Sequence, residues 1–184
     1  MKSTDIFFDT DCLSSFLWVG REDIFLTLYK NLVIIPDEVY FELAKVDFLK
    51  IKIDYLIKKN KVKLKSIFLG TKEYELYSSM IHNPNKDITN MIIGNGEAAA
   101  IALCITNNGI LASNNLKDIA PYVNYYSIKS ILTEDILIEA LHKNIITEKD
   151  GNEIWLNMLK KKRKLPYRTF SECVRVKYKR DLNI

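Results

Sequence analysis

The stretch Ile6-Phe7-Phe8-Asp9-Thr10-Asp11-Cys12-Leu13-Ser14-Ser15-Phe16-Leu17 narrows the possible folds more than any other part of the chain. Three apolar residues in succession leave neither side of a pleat polar, so they read as a strand covered on both faces, as in a parallel sheet between helices. The run stops at Asp9, after which Leu13, Phe16 and Leu17 recur at helical spacing. Asp9 and Asp11 therefore belong to a strand-to-helix turn, the place where ligands bind in an open α/β sheet. An aspartate there also serves to cap the helix, and the stretch by itself does not separate the two roles.

The same alternation recurs downstream. An amphipathic segment over residues 22–29 leads to Asn31-Leu32-Val33-Ile34-Ile35-Pro36, a mostly β-branched strand whose proline suits the first turn of a helix over 37–46. On that helix Val39, Leu43 and Val46 form an inward stripe, and Glu42 falls on the same face. A carboxylate in an apolar stripe is costly unless it is paired or reaches a polar cavity. Residues 47–60 predict a lysine-rich helix burying Phe48, Leu49, Ile51, Ile53, Leu56 and Ile57. A strand within 62–69 and a helix over 71–81, capped by Thr71 and ended by Asn83-Pro84-Asn85, follow.

Gly94-Asn95-Gly96 gives way to strong helix formers, so a helix starts at about Glu97, with Ala100, Ile101 and Cys104 on one stripe behind it. Glu97 reads either as a site acid or as a complement to the helix dipole. Residues 109–115 form a further short strand ending in Asn114-Asn115, and Leu116-Lys117-Asp118-Ile119 begins a turn of helix. The last strand is expected over 124–128, followed by helices over 131–141 and 148–162 and a short helix from Thr169.

With 184 residues and 48% hydrophobic composition, the chain suits a single domain, with a core over about 1–130 and a helical, basic extension over 131–184. No apolar run nears the roughly 20 residues of a membrane span, and the N-terminus lacks the apolar region of a leader, so a cytoplasmic location is expected. The three cysteines are far apart, and with only two histidines they match no zinc spacing, so reduced thiols are expected. Charge is uneven. Residues 1–154 carry 17 Lys and Arg against 21 Asp and Glu, whereas residues 155–184 carry 10 against 2. A basic end on an acidic body suits a polyanion or an acidic partner, and equally a solvated helix face.

Strands alternating with helices imply a doubly wound parallel sheet whose strand ends bring polar residues to one edge. Asp9 and Asn114 or Asn115 lie at such ends, and Glu42 and Glu97 lie on flanking helices. Carboxylates gathered without a cation repel, so an all-oxygen set of this kind suits magnesium or manganese. Hydrolysis of a nucleic-acid phosphodiester is the natural reaction class for such a site.

Four motifs come in the order and approximate spacing of the PIN-domain family. They are Asp9-Thr10 after a strand, Val39-Tyr40-Phe41-Glu42-Leu43, Gly96-Glu97-Ala98-Ala99-Ala100-Ile101-Ala102-Leu103, and Ile110-Leu111-Ala112-Ser113-Asn114-Asn115. The chain resembles the small prokaryotic members, including VapC-like toxin ribonucleases, from Ile6 to about Ile128, and its helical end resembles the longer members. The resemblance implies a three-layer α/β/α fold with a five-stranded parallel sheet. It further implies a magnesium- or manganese-dependent endoribonuclease, often dimeric and held inactive by a cognate antitoxin protein. Asp9, Glu42 and Glu97 match the family's metal-site acids. The fourth position departs from the family: the aspartate usual there is replaced by Asn114-Asn115, and Asp118 reaching back one turn is the candidate substitute. The expected site is thus Asp9, Glu42, Glu97, Asn115 and Asp118, with Asp11 open as an extra ligand or an N-cap. The alternative implied is a catalytically weakened module that binds RNA or protein. The segment 47–92 exceeds what the smallest relatives need.

Overall fold

The computed structural model describes residues 4–181, with side chains described as far as Lys177. It is an α/β fold: five strands, all parallel, in the order β3-β2-β1-β4-β5, with ten helices among the described residues. The strands are β1 (Ile6–Phe8), β2 (Val33–Pro36), β3 (Lys63–Lys65), β4 (Ile110–Ala112) and β5 (Lys129–Ile131). Phe7 pairs with Ile34 on one side and Leu111 on the other. Because successive side chains alternate across a strand, this register sorts the apolar residues into two cores. Ile6, Phe8, Val33, Ile35 and Ala112 enter one. Phe7, Ile34 and Leu111 enter the other.

The helices divide between those two faces. On the first lie α1 (Thr10–Val19), α2 (Glu22–Leu28), α3 (Asp37–Leu43) and α4 (Asp47–Lys58), together with α8 (Thr133–His142), α9 (Glu148–Lys160) and α10 (Phe170–Asp181). On the second lie α5 (Lys72–His82), α6 (Asn95–Asn107) and α7 (Leu116–Tyr126). The C-terminal helices are not an appendage. Ile136, Leu137, Trp155, Phe170 and Cys173 are buried in the same cluster as Phe8. Gly151 makes this docking possible, since a Cβ there would lie 2.2 Å from the Phe170 ring.

Several expectations are corrected. The last strand is 129–131, and residues 124–126 instead end α7. Tyr125 and Tyr126 favour a strand locally, but Ile119 and Tyr122 set a helical stripe that buries against α6, and packing overrides propensity. The expected strand over 62–69 is confined to 63–65. The helix expected over 37–46 ends at Leu43, which leaves Val46 38% exposed. On α4 the buried residues are Leu49, Ile53 and Leu56, whereas Phe48 and Ile51 are 45% and 70% exposed. A single helix face at this spacing holds only part of so apolar a segment.

From β1 the chain crosses to β2 and β3, then returns past β1 to β4 and β5. The crevice beyond the ends of β1 and β4 is therefore the topological switch point of the sheet.

Candidate functional site

Asp9 follows β1 directly and is the N-cap of α1: its Oδ1 accepts from the Cys12 backbone N–H at 2.7 Å. The residue is fully buried, and Oδ2 has no hydrogen-bond partner. Burial pushes the Asp9 carboxyl up to about 7, opposed by the Ser113 hydroxyl and the Cys12 amide and reinforced by the negative charges of Asp11 and Glu97. One oxygen thus does the structural work of a cap; the other is desolvated and accepts no well-formed hydrogen bond, although the Ser113 hydroxyl eases the burial of the carboxyl.

Glu97 lies in the first turn of α6, and Asp118 in the first turn of α7. Asn115, the residue before α7, joins them: its Nδ2 donates to Glu97 Oε1 at 2.6 Å and to Asp118 Oδ2 at 2.7 Å. Carboxylates only accept, so the amide must present both N–H bonds to the two acids. An aspartate could not do this without a cation or a shared proton. Burial raises the Glu97 carboxyl and Asp118 raises it further, while the Asn115 hydrogen bond holds it down.

Glu42, on α3, lies in a different setting. Its Oε2 accepts from the Thr10 hydroxyl, and its Oε1 accepts from the Gly96 backbone N–H at 2.9 Å. The latter is one of the free amides at the start of α6, so Glu42 acts as a cap for a helix it does not belong to. Gly96 leaves room for this approach: a Cβ there would lie 2.6 Å from Glu42 Oε2 and 2.8 Å from Thr10 Oγ1, so the Glu42 carboxylate would have to shift.

Asn114 and Asp11 fall outside this knot. Asn114 pairs through both ends of its amide with Thr133, accepting from its backbone N–H and donating to its hydroxyl, each at 2.9 Å, and so ties β4 to α8. Asp11 is exposed and does not cap α1, because Asp9 does. Its carboxylate lies 3.8 Å from the Arg163 guanidinium.

The sequence-predicted acids thus form two corners of one edge: Asp9 with the Glu97–Asn115–Asp118 bridge, and Glu42 with Thr10 and Gly96. Among the described residues no three His, Cys, Asp or Glu side chains converge closely enough to hold a metal ion as they stand. The donor chemistry still suits a hard divalent cation, because the groups are all oxygen and Asp9 Oδ2 is buried and unmatched. Two participants escaped the sequence reading, Thr10 and Glu38. Glu38 stands one turn before Glu42 on α3, and one of its oxygens is also buried without a partner. Burial raises its carboxyl, with Asp37 and Glu42 adding to the effect. The i, i+4 spacing of Glu38 and Glu42 was the available signal. No protein-family model matches the chain, and no curated protein matches it.

Proposed function

We propose that the chain is a magnesium- or manganese-dependent endoribonuclease of PIN type, acting as the toxin of a toxin–antitoxin pair in the cytoplasm. The observation that carries this reading is the buried Asp9 carboxyl at the switch point, with one oxygen unpartnered and the charge of Glu97 acting on it, while Asn115 links Glu97 to Asp118. A site that keeps a carboxylate desolvated and unsatisfied loses stability, and such losses concentrate where chemistry is done. The parallel order β3-β2-β1-β4-β5 is compatible with a PIN-like fold. No helix among the described residues is long and apolar enough to cross a membrane.

Asp9, Glu97 and Asp118 would hold the cation once drawn closer than they stand, and Glu42 would join them through the lone pairs that Thr10 and the Gly96 amide leave free. A divalent ion held by these residues would supply Lewis-acid activation of a water and stabilisation of charge on the phosphodiester. Asn115 fixes the spacing of Glu97 and Asp118, while the Cys12 amide fixes the orientation of Asp9. The basic C-terminal segment would attract the RNA backbone, so affinity falls as salt rises.

A second reading, a catalytically weakened RNA- or protein-binding module, is favoured by Asn115 in place of an acid and by the engagement of Glu42 with the Thr10 hydroxyl and the Gly96 amide. The experiment that separates the two is incubation of purified protein with mixed single-stranded RNA, with and without manganese, beside Asp9→Asn and Glu97→Gln. Metal-dependent cleavage lost in both variants supports the enzyme; tight RNA binding without cleavage at any manganese concentration supports the module. For the toxin role, a neighbouring small gene encoding a DNA-binding antitoxin is the expected context. Dimerisation belongs to the same proposal and is read by sedimentation.

A further inference from the structure

We infer that the basic turn after α9 forms a subsite for a backbone phosphate of a single-stranded nucleic acid, one side chain away from the acidic edge. The identity of the ligand rests on the nuclease reading; the cavity and its charge do not. Lys162, Arg163 and Lys164 face Ser15, Asn114 and Asn115 around an open cavity of about 260 Å³, whose one acid is Asp11. The turn is made by Lys162 in the left-handed region, at φ 59°, which brings the chain back over α1 immediately after α9 ends.

The turn is built into the fold. The Lys161 ammonium lies 5.3 Å from the centre of the Trp18 ring. Arg163 donates to the Ser14 hydroxyl at 3.2 Å, and its backbone N–H donates to Met158 O at 3.0 Å. Beyond it Leu165 and Tyr167 pack on the core, and Trp155 Nε1 donates to Tyr167 O at 3.0 Å. Those anchors occupy Lys161, and Arg163 faces the Asp11 carboxylate at 3.8 Å. Lys162 and Lys164 are exposed and form no ion pair among the described residues, so their charge is available to a ligand. Further along the same basic segment, Lys177 is committed to Asp135 and Glu134 on α8. Among the described residues of the segment, Lys162 and Lys164 are thus unpaired cations at the cavity, while Lys160 and Arg168, also exposed, lie outside it.

Asn115 is a wall of this cavity and at the same time the bridge between Glu97 and Asp118. An anion held by Lys162 and Lys164 is separated from the carboxylates by that one amide. A phosphate next to the reacting one, on a continuous backbone, meets this geometry; ammonium and guanidinium groups with an amide and a hydroxyl are its usual partners.

The test is fluorescence anisotropy with a short 2′-O-methyl RNA, which resists cleavage, in metal-free buffer over a salt titration. Lys162→Gln/Lys164→Gln should weaken binding about tenfold at low salt and reduce the slope of log affinity against log salt by about 1.4, the value for two lost contacts on a single strand. Lys160→Gln/Arg168→Gln, an equal charge loss at exposed positions outside the cavity, should change affinity less than about twofold and leave the slope unchanged. Equal losses in both doubles would overturn the subsite, as would no loss in the first. Loss of poly-glutamate binding with RNA binding intact would reassign the cavity to an acidic protein segment and overturn it too. The two readings fail separately. Absent cleavage with RNA binding still lost in Lys162→Gln/Lys164→Gln sinks the nuclease and keeps the subsite. Intact cleavage with unchanged KM and binding in that double does the reverse.

Discussion

Asp9 and Glu42 carry the same functional group, lie at the same edge of the sheet, and are treated in opposite ways by their surroundings. Glu42 has a donor on each oxygen, the Thr10 hydroxyl and the Gly96 amide. Asp9 is buried with one oxygen unmatched. A buried hydrogen-bonded carboxylate can stabilise a fold, whereas a buried unmatched one costs free energy. The difference separates a strut from an unmatched group: the Glu42 corner holds α1, α3 and α6 together, and the Asp9 corner keeps a buried oxygen with no donor of its own.

The largest effect that would break this comparison concerns Asp9. Its folded carboxyl is raised to about 7 from an ordinary 3.8, so the folded protein keeps a proton that the unfolded chain has lost. Stability therefore falls as pH rises from about 4 to 7 and levels off above that, with a total cost on the order of 4 kcal/mol at most. Asn at this position stays neutral and keeps an oxygen for the Cys12 amide. Asp9→Asn should thus match the native protein near pH 4 and exceed it by a few kcal/mol at pH 8 in urea unfolding without metal. Equal stabilities at pH 8 would mean that Asp9 is satisfied after all. The same variant should lose manganese-dependent cleavage by at least about a hundredfold.

Glu42 should respond the other way. Glu42→Ala leaves the Thr10 hydroxyl and the Gly96 amide without their acceptor and should destabilise by about 1–3 kcal/mol. Gly96→Ala should cost a similar amount by pushing Glu42 off the α6 amide, which thermal unfolding of the two variants and their combination would read as a non-additive pair. The smallest effect is expected at Asn115. Asn115→Asp sets a third charge between Glu97 and Asp118 and should cost on the order of 1 kcal/mol without metal, while tightening manganese binding as a further acid ligand. Equal manganese affinity in calorimetry would place Asn115 outside the site.

The central strands were legible because β1, β2 and β4 are apolar throughout and end abruptly in polar residues. β5 was not, because Lys129-Ser130-Ile131 is an edge strand with no apolar run to announce it. Nearby Tyr125-Tyr126 carried a stronger local strand signal and belongs to α7. Of the candidate site, Asp9 and Glu97 were legible from their places at element ends, and Asp118 only through the resemblance to a family that carries an acid after this strand. The work of Asn115 was not, since its two hydrogen bonds depend on how closely α6 approaches α7. Nor was the capture of Glu42 by Thr10 and Gly96, which needs three elements to meet.

The most direct measurement is the manganese dependence of the melting temperature, at pH 8, for the native protein and Asp9→Asn. Binding to the folded state alone stabilises by mass action. The account predicts a saturable rise in the native protein that is absent in Asp9→Asn, even though the variant melts higher without metal. No rise in the native protein, or the same rise in both, would contradict it.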